Sequence, residues 1–367
     1  MTGTLVDSYV RFKNKHDNNL IAHDLKEDGA LFLTPYLEKK QIKKAQELAI
    51  VPPFLKGVES FSGFLTVNKS WSSNLFFWLF KSQLKNWEEQ PLLVWLAGGP
   101  GGSSVLGMLM ELGPFSVNKK QKLKKRKYSW NRKYNLVFID NPVGAGFSFT
   151  KSDAGYAKSE VDVARDLYEA LVQLYTLFPA LQTNKLFITG ESYAGKYIPA
   201  IGYKIYETNK ISSFKLPLAG LLIGNGWTDP YDMHEYAAYL YQLGLVDRNQ
   251  KEILTKMEDD IRADIRADNL LAAADDDLNE RRSIAKMSGL HAISDFVNDY
   301  LPSKDPEITF INAPKTRKAI HVGDYSFNNG SKTLYHLKAD WQQSVKPWVE
   351  ALLTAEQFPI LFFSGQA

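Results

Sequence analysis

Five short and nearly uninterrupted apolar runs punctuate this sequence of 367 residues. They lie at 92–96, 136–139, 186–189, 218–223 and 360–363. Runs of this length are typical of strands that are buried on both faces, and helix-compatible stretches such as 161–178 separate some of them. We therefore expect a fold of the α/β class, with a mostly parallel central sheet and helices on both of its faces.

The remaining segments indicate how the chain is organised around this sheet. Residues 61–80 are rich in aromatic and branched side chains on either side of a polar turn, which predicts a β-hairpin. Residues 231–300 are charged and favour helices, which indicates a helical cap insertion. We expect four parts: an N-terminal arm (1–55), a first core part (56–230), the helical cap (231–300) and a second core part (301–367).

The composition argues against several classes of partner. The formal net charge is only +3 and the charges are mostly scattered, so we expect no nucleic-acid or anionic-membrane partner. The one dense basic run, 119–127, is expected to be a solvated loop. Cysteine is absent, which excludes disulfides and thiolate metal sites. No stretch is apolar enough to span a bilayer, and the first thirty residues lack the apolar region of a signal peptide.

Residues 190–195, Gly-Glu-Ser-Tyr-Ala-Gly, resemble the pattern G-x-S-x-G, with the second glycine one residue later than in the pattern. A predicted strand precedes the pattern and a helix-compatible segment follows it, which is the context of a nucleophile elbow. Glycines on both sides permit a sharp strand-to-helix turn that lifts the hydroxyl of Ser192 above the edge of the sheet. Ser192 is therefore the candidate catalytic nucleophile.

A glycine-rich loop at 98–104, Gly-Gly-Pro-Gly-Gly-Ser-Ser, directly follows the predicted strand 92–96. Such a loop can aim backbone N–H groups at a developing oxyanion, and we expect the N–H groups of Gly99 and Tyr193 to form the oxyanion hole. A phosphate-binding loop is the alternative. No Gly-Lys-Ser/Thr sequence follows and the spacing does not fit G-x-G-x-x-G, so nucleotide binding is disfavoured.

Several further motifs occur with these two in a fixed order. They are Phe-Phe-Trp at 76–78, Trp-Leu-Ala before the glycine loop at 95–97, Glu-Leu-Gly-Pro at 111–114, Asp-Asn-Pro-Val-Gly-Ala-Gly-Phe-Ser at 140–148, Ile-Gly-Asn-Gly-Trp-Thr-Asp-Pro at 223–230 and Ala-Ile-His-Val-Gly at 319–323. On these motifs the chain resembles the serine carboxypeptidases of the α/β-hydrolase fold, and most of all their vitellogenic-like branch. The resemblance runs from about residue 31 to the last residue.

The resemblance implies a site that binds the free C-terminal carboxylate of a peptide. It assigns substrate-binding roles to Gly98, Glu111 and Glu191, and the two acids would have to be protonated to donate hydrogen bonds to a carboxylate. An acidic pH optimum is therefore expected. The alternative is that Glu111 and Glu191 make ordinary surface contacts. Ala97 departs from the family, because it stands where the family has an asparagine donor.

In this fold the catalytic acid and histidine follow the serine in sequence. The family has Gly-Gln, an apolar residue and then the aspartate, whereas this sequence reads Gly365-Gln366-Ala367. We therefore expect this chain to lack the catalytic aspartate and histidine. Four of its histidines, which all precede this point, are expected to be structural or surface residues. They are His234, His291, His321 and His336.

The resulting hypothesis is a serine-type carboxypeptidase that removes C-terminal residues through an acyl-enzyme on Ser192. Two alternatives remain open: an inactive homologue that binds peptides without turnover, and an acyltransferase or esterase of the same fold. No metal or cofactor is expected, and peptides or proteins with a free C-terminal carboxylate are the expected partners. The family habit implies a lysosomal or secreted glycoprotein, with acceptor triplets at Asn68 and Asn329.

Overall fold

The structure is a computed structural model and describes residues 29–290 and 306–365. Twelve strands occur in these residues. They are β1 (Ile50–Val51), β2 (Ser60–Asn68), β3 (Ser73–Phe80), β4 (Leu92–Leu96), β5 (Phe115–Val117), β6 (Leu123–Lys125), β7 (Asn135–Ile139), β8 (Ala145–Gly146), β9 (Leu186–Glu191), β10 (Leu218–Gly224), β11 (Asn328–Asn329) and β12 (Ile360–Phe363).

Thirteen α-helices occur in the same two ranges, together with short 3-10 turns and one π-helical turn, Met108–Leu112. They are α1 (Thr34–Glu38), α2 (Ile42–Ala49), α3 (Ser104–Gly107), α4 (Glu160–Leu177), α5 (Ala194–Ile211), α6 (Pro230–Met233), α7 (Tyr236–Gln242), α8 (Arg248–Arg266), α9 (Leu270–Ser288), α10 (Pro306–Asn312), α11 (Pro314–Ala319), α12 (Ser331–His336) and α13 (Lys346–Ala355).

Eight strands form one sheet in the order β1-β2-β3-β7-β4-β9-β10-β12. The run from β7 to β12 is parallel, whereas β1, β2 and β3 add to it in antiparallel fashion. The mostly parallel sheet is thus confirmed. The predicted hairpin is β2 with β3, whose pairing runs from Ser60 opposite Phe80 to Asn68 opposite Ser73.

Both faces of the sheet are covered. Successive residues of a strand point to opposite faces, and β4 places Val94 in one hydrophobic core and Trp95 in the other. Helices α4 and α5 supply the first core, while Ile311 of α10 belongs to the second. A strand that is buried on both faces needs apolar residues at every position, which explains the continuous run at 92–96.

Strand β12 departs from its prediction. It pairs with β10 as a parallel strand, but Leu361, Phe362 and Phe363 are 52%, 47% and 46% exposed. The expectation that 360–363 is buried on both faces is therefore wrong for the described residues. The strand lies at the end of the sheet order, where a neighbour covers only one of its edges.

Helices α6 to α9 occupy most of the segment that was predicted as a cap. They contain a small hydrophobic core of their own, which includes Leu240, Leu254 and Ile284. Within α8, Ile261 is buried, while Arg262 pairs with Asp259 at the surface. The boundary at residue 300 lies outside the described residues, and the division into four parts stays a prediction.

The segment before residue 55 does more than lead into the sheet. Leu33, Ala45 and Ala49 are fully buried and belong to the same hydrophobic core as α4 and α5. Throughout 29–290 and 306–365, none of the helices is both long and apolar enough to cross a membrane.

Candidate active site

Ser192 occupies the tight turn between β9 and α5. Its φ of +59° lies in the left-handed region, which costs a non-glycine residue about 1–2 kcal/mol. Three backbone hydrogen bonds hold the turn: the N–H of Ser192 donates to Gly224 at 3.0 Å, and its C=O accepts from Gly195 and Trp227, both at 2.9 Å. The strained conformation is thus fixed by its surroundings, as the elbow pattern predicts.

The glycine-rich loop lies directly against this elbow. A Cβ on Gly98 would stand 2.5 Å from the Tyr193 nitrogen and 2.7 Å from the Ser192 Cβ, so only glycine fits there without a shift of the backbone. Gly99 follows with a φ of +128°. The structure therefore brings together Gly98, Gly99, Ser192 and Tyr193, which the sequence places almost 100 residues apart.

Asp140 anchors the far end of the glycine loop. It follows β7, is fully buried, and accepts hydrogen bonds from the Ser103 hydroxyl at 2.6 Å and from the N–H groups of Val105 and Phe147 at 3.3 and 2.9 Å. Burial raises the pKa of Asp140 to about 6 despite these donors. The 140–148 motif is visible in the sequence, but no local pattern predicts this role for its first residue.

Glu111 and Glu191 are both partly buried beside the elbow. Burial, and then the neighbouring Glu191 carboxyl, raise the pKa of Glu111 to about 8. Burial also raises the pKa of Glu191, the residue that precedes Ser192. Because each extra carboxylate charge is disfavoured there, this part of the site retains protons that exposed glutamates would lose.

Arg126 holds the π-helical turn that carries Glu111. Its guanidinium donates to the carbonyl groups of Leu109 at 2.6 Å and Gly113 at 3.1 Å, on either side of that glutamate. The basic run 119–127 is otherwise largely exposed, as a solvated loop would be, and it contains the short strand β6. A run of basic residues is typical of a solvated loop, so the sequence did not indicate that Arg126 contacts the Glu111 turn.

Replacing Arg126 by methionine is expected to loosen the Glu111 turn, because two carbonyl groups lose their charged donor. We expect a loss of about 1–3 kcal/mol in the free energy of unfolding and a rise in KM for peptides. Denaturant unfolding and steady-state kinetics would measure both. The exposed Lys124→Met in the same run is the control and should change neither the free energy of unfolding nor KM. Equal effects of the two variants would contradict the role of Arg126 in holding the Glu111 turn.

Ala97 and Trp95, which precede the glycine loop, differ in their capacity to form hydrogen bonds. Ala97 offers no side-chain donor, and its backbone N–H donates to the Ser104 hydroxyl oxygen at 3.0 Å. The indole N–H of Trp95, two residues earlier on β4, is buried and has no hydrogen-bond partner in the described part of the chain. Within the two described ranges, Trp95 is thus an unpartnered buried donor on the strand that leads into the glycine loop.

The described histidines have other partners than Ser192. The Nδ1 atom of His321 lies 3.1 Å from the Ser62 hydroxyl, and burial lowers the pKa of His321. The ring of His336 stacks on Tyr156 at 4.8 Å. His291 lies outside the described residues. These contacts agree with structural roles.

His234 is fully buried between the cap helices and the core. Its ring nitrogens each lie 3.2 Å from a partner, Glu280 on α9 and Gln342 in the core. His234, Asp277 and Glu280 form a set with metal-ligand chemistry. Arg281 and Gln342 already bind the Asp277 carboxylate at 2.7 and 3.0 Å, so the protein itself satisfies that ligand.

A serine carboxypeptidase family model matches residues 52–367, most of the chain. The chain belongs to the serine carboxypeptidase family. The resemblance drawn from the motifs is confirmed, and with it the assignment of this carboxypeptidase to the hydrolases that act on peptides.

Curated relatives agree with the family assignment. This carboxypeptidase is 41% identical to the probable serine carboxypeptidase CPVL of Homo sapiens, over 92% of the chain and 72% of the relative. It is 41% identical to the venom serine carboxypeptidase of Apis mellifera, with 92% and 74% covered. Identity to the vitellogenic carboxypeptidase of Aedes aegypti is 40%, with 92% and 73% covered. The vitellogenic-like resemblance is thus supported by names as well as motifs.

A solved structure shares the fold. The prohormone-processing carboxypeptidase Kex1Δp of Saccharomyces cerevisiae superposes with a TM-score of 0.75 at 25% identity, over 87% of this chain and 78% of that one. The predicted α/β-hydrolase architecture is therefore confirmed for the carboxypeptidase.

Proposed function

We propose that this carboxypeptidase releases single C-terminal residues from peptides through an acyl-enzyme on Ser192. In this proposal the N–H groups of Gly99 and Tyr193 hold the oxyanion. Gly98 lets the peptide approach the elbow closely, and Glu111 with Glu191 selects substrates that end in a free carboxylate.

The observation that carries the proposal is the pair of proton-retaining glutamates beside a strained serine. A carboxylate substrate repels ionised glutamates, but a protonated carboxyl group donates a hydrogen bond to it. Glu111, with its pKa raised to about 8, stays protonated through the acidic range. An esterase whose alcohol leaving group carries no carboxylate would gain nothing from such donors.

The proposed reaction has two chemical stages. The Ser192 oxygen bonds to the scissile carbonyl carbon while its proton passes to a general base, and the oxyanion forms against the two N–H groups. In this fold that base is the histidine that follows the catalytic acid, and the described histidines His234, His321 and His336 contact other residues than Ser192. The C–N bond then breaks, and the leaving amino acid takes up a proton. Water next attacks the acyl-enzyme, breaks the ester bond to Ser192 and releases the shortened peptide.

The test is release of the C-terminal amino acid from an N-blocked dipeptide at about pH 4–6, where carboxyl groups of raised pKa remain protonated. The 367-residue chain is compared with its Ser192→Ala variant. The same peptide with a C-terminal amide serves as the substrate control. Hydrolysis of the free acid alone, and its loss in the variant, would support the proposal.

Two other outcomes would point to the alternative functions. Equal turnover of the free acid, the amide and a simple ester would favour an esterase or acyltransferase of this fold. Peptide binding without hydrolysis, unchanged by Ser192→Ala, would favour a non-catalytic binding protein. The expected lack of the catalytic aspartate and histidine, and the alanine at position 97 in place of the family's asparagine donor, give this last alternative its weight.

The pH dependence follows from the sign of the pKa shifts. As pH rises through the raised pKa values, Glu111 and Glu191 lose the protons that they donate to substrate, so KM should rise towards pH 8. Glu111→Gln keeps a permanent amide donor and should flatten this rise. Steady-state kinetics from pH 4 to 8 would show it. The exposed Glu207→Gln is the control, and a Glu111→Gln profile that coincides with the parent would contradict the assignment.

We further propose a lysosomal or secreted glycoprotein. Asn68 and Asn329 are the last residues of β2 and β11, and each side chain accepts a hydrogen bond from the backbone N–H two positions later, that of Ser70 and Ser331. An acidic working range also suits such compartments. Expression in insect cells followed by deglycosylation tests this: a mobility shift that Asn68→Gln and Asn329→Gln abolish is expected, and its absence would refute the glycoprotein proposal.

A further inference from the structure

We propose that Lys196 and Asp340 form a buried ion pair that positions the peptide N–H of Tyr193 for the oxyanion hole. Both would act as positioning residues, since neither side chain lies at the reacting atoms. The inference rests on the proposed role of Tyr193 and adds the device that holds it.

The contacts converge on one carboxylate. The phenol of Tyr193 donates to Oδ2 of Asp340 at 3.0 Å, and Nζ of Lys196 lies 2.6 Å from the same oxygen. Lys196 also donates to the Asp340 carbonyl group. The other carboxylate oxygen accepts from the N–H of Glu160, the first residue of α4, at 3.1 Å. Asp340 thus connects the elbow, α5 and α4.

Charge and burial show that the pair is balanced. Lys196 is fully buried, and Asp340 and Tyr193 are only 7% and 2% exposed. The nearby Glu160 carboxyl is also buried, and burial followed by the Asp340 charge raises its pKa well above the usual range. Burial thus disfavours the charged form of Glu160, and the charges in direct contact are those of the Lys196–Asp340 ion pair.

Stability alone gives little reason for such a pair. Removing two charges from water costs about as much as their attraction returns, and a well-packed apolar pair is often as stable. What an apolar pair does not provide is a directional partner for the Tyr193 hydroxyl. The aromatic ring of Tyr193 would then be held by packing alone, and its backbone N–H would be less precisely aimed.

The same group also reaches the glycine loop. The rings of Tyr193 and Tyr197 meet edge to face at 5.2 Å, and the Tyr197 hydroxyl accepts a hydrogen bond from the N–H of Gly101 at 3.3 Å. Gly101 lies two residues after Gly99, the other proposed oxyanion donor. Both sides of the proposed oxyanion hole are thus tied to one buried cluster.

The residue after Asp340 supports the nucleophile itself. The carbonyl group of Trp341 accepts from the indole N–H of Trp227 at 2.9 Å, and the backbone N–H of Trp227 donates to the Ser192 carbonyl at 2.9 Å. The short turn Asp340–Gln342 therefore braces the serine and its oxyanion neighbour together.

The first test removes a single oxygen. Tyr193→Phe keeps the backbone N–H and the ring but loses the bond to Asp340. We expect kcat to fall about tenfold with KM within about twofold, because only the transition state uses the aim of the N–H. Tyr175→Phe is the matched control, since its buried hydroxyl has no hydrogen-bond partner among the described residues, and it should leave both constants unchanged.

The second test separates positioning from stability. Lys196→Met leaves Asp340 buried without its cation and should lower Tm, whereas Lys196→Met combined with Asp340→Leu removes both charges and the acceptor of the Tyr193 hydroxyl and should recover most of the lost Tm. If the pair positions Tyr193, kcat stays low in the double variant although Tm returns. Recovery of kcat together with Tm would overturn the proposal.

A third measurement does not depend on turnover. In protein labelled with 15N-tyrosine, the Tyr193 amide resonance is the one that disappears in Tyr193→Phe. A clear shift or broadening of that resonance in the double variant is expected, and an unchanged resonance would overturn the inference. If the parent chain hydrolyses no peptide, the proposed function fails and this resonance still decides the positioning role.

Discussion

Alanine at position 98 is expected to reduce kcat/KM about a hundredfold while the chain still folds. Its Cβ would lie 2.5 Å from the Tyr193 nitrogen and 2.7 Å from the Ser192 Cβ, distances that real Cβ contacts do not show. The glycine loop or the elbow must move by up to about 1 Å before these distances become ordinary van der Waals contacts, which begin at 3.4 Å. A displacement of about 1 Å at the reacting groups costs roughly a hundredfold in rate.

The measurement is steady-state hydrolysis of a blocked dipeptide together with thermal unfolding. Gly57→Ala is the control for backbone strain: unlike Gly98, Gly57 has no atom within 4 Å of its Cβ position, but it has a φ of +77°. That variant should lose about 1–2 kcal/mol of stability and keep its activity. Parent-like kcat/KM in Gly98→Ala would show that the close approach is not needed.

Asp140→Ala is expected to have the largest effect on folding among the substitutions near the site. Three buried donors, the Ser103 hydroxyl and the N–H groups of Val105 and Phe147, lose their acceptor. We expect the free energy of unfolding to fall by about 3 kcal/mol or more. Urea unfolding measures it. A matched control is the exposed Asp153→Ala, which breaks a surface pair with Lys332 and should cost less than about 1 kcal/mol.

The pH dependence of stability gives an independent check on Asp140. Burial raises its pKa from 3.8 to about 6, so the folded state holds the proton more tightly than the unfolded state. Its contribution is therefore fully present below about pH 4 and is lost as pH rises through about 6. Asp140→Ala should lack that part of the slope; an identical slope in the variant would contradict the shift.

The local patterns of the sequence were enough to predict the sheet and the elbow. The apolar runs predicted β4, β7, β9 and β10, because a strand buried on both faces must be apolar at every position. The glycines around Ser192 predicted a turn that a side chain would obstruct. Both signals depend on neighbours within about ten residues, so periodicity and turn chemistry capture them.

Contacts between distant segments could not be predicted in this way. Asp340 lies 144 residues from Lys196, and no local pattern marks an isolated aspartate as the partner of a buried lysine. The contacts of Arg126 could not be predicted for a similar reason, because its basic neighbours in sequence are exposed and mark the segment as a solvated loop. The burial of 360–363 was predicted wrongly because an apolar run indicates a strand but does not give its place in the sheet.

The left-handed conformation of Ser192 sets stability against activity at a single residue. Glycine accepts a φ of +59° freely, so the most favourable backbone at this position belongs to a residue that has no nucleophile. Selection for folding alone would therefore drive position 192 towards glycine. Libraries of this carboxypeptidase that are screened for heat resistance should keep codon 192 fixed, because a stabilising glycine there would remove the Ser192 hydroxyl.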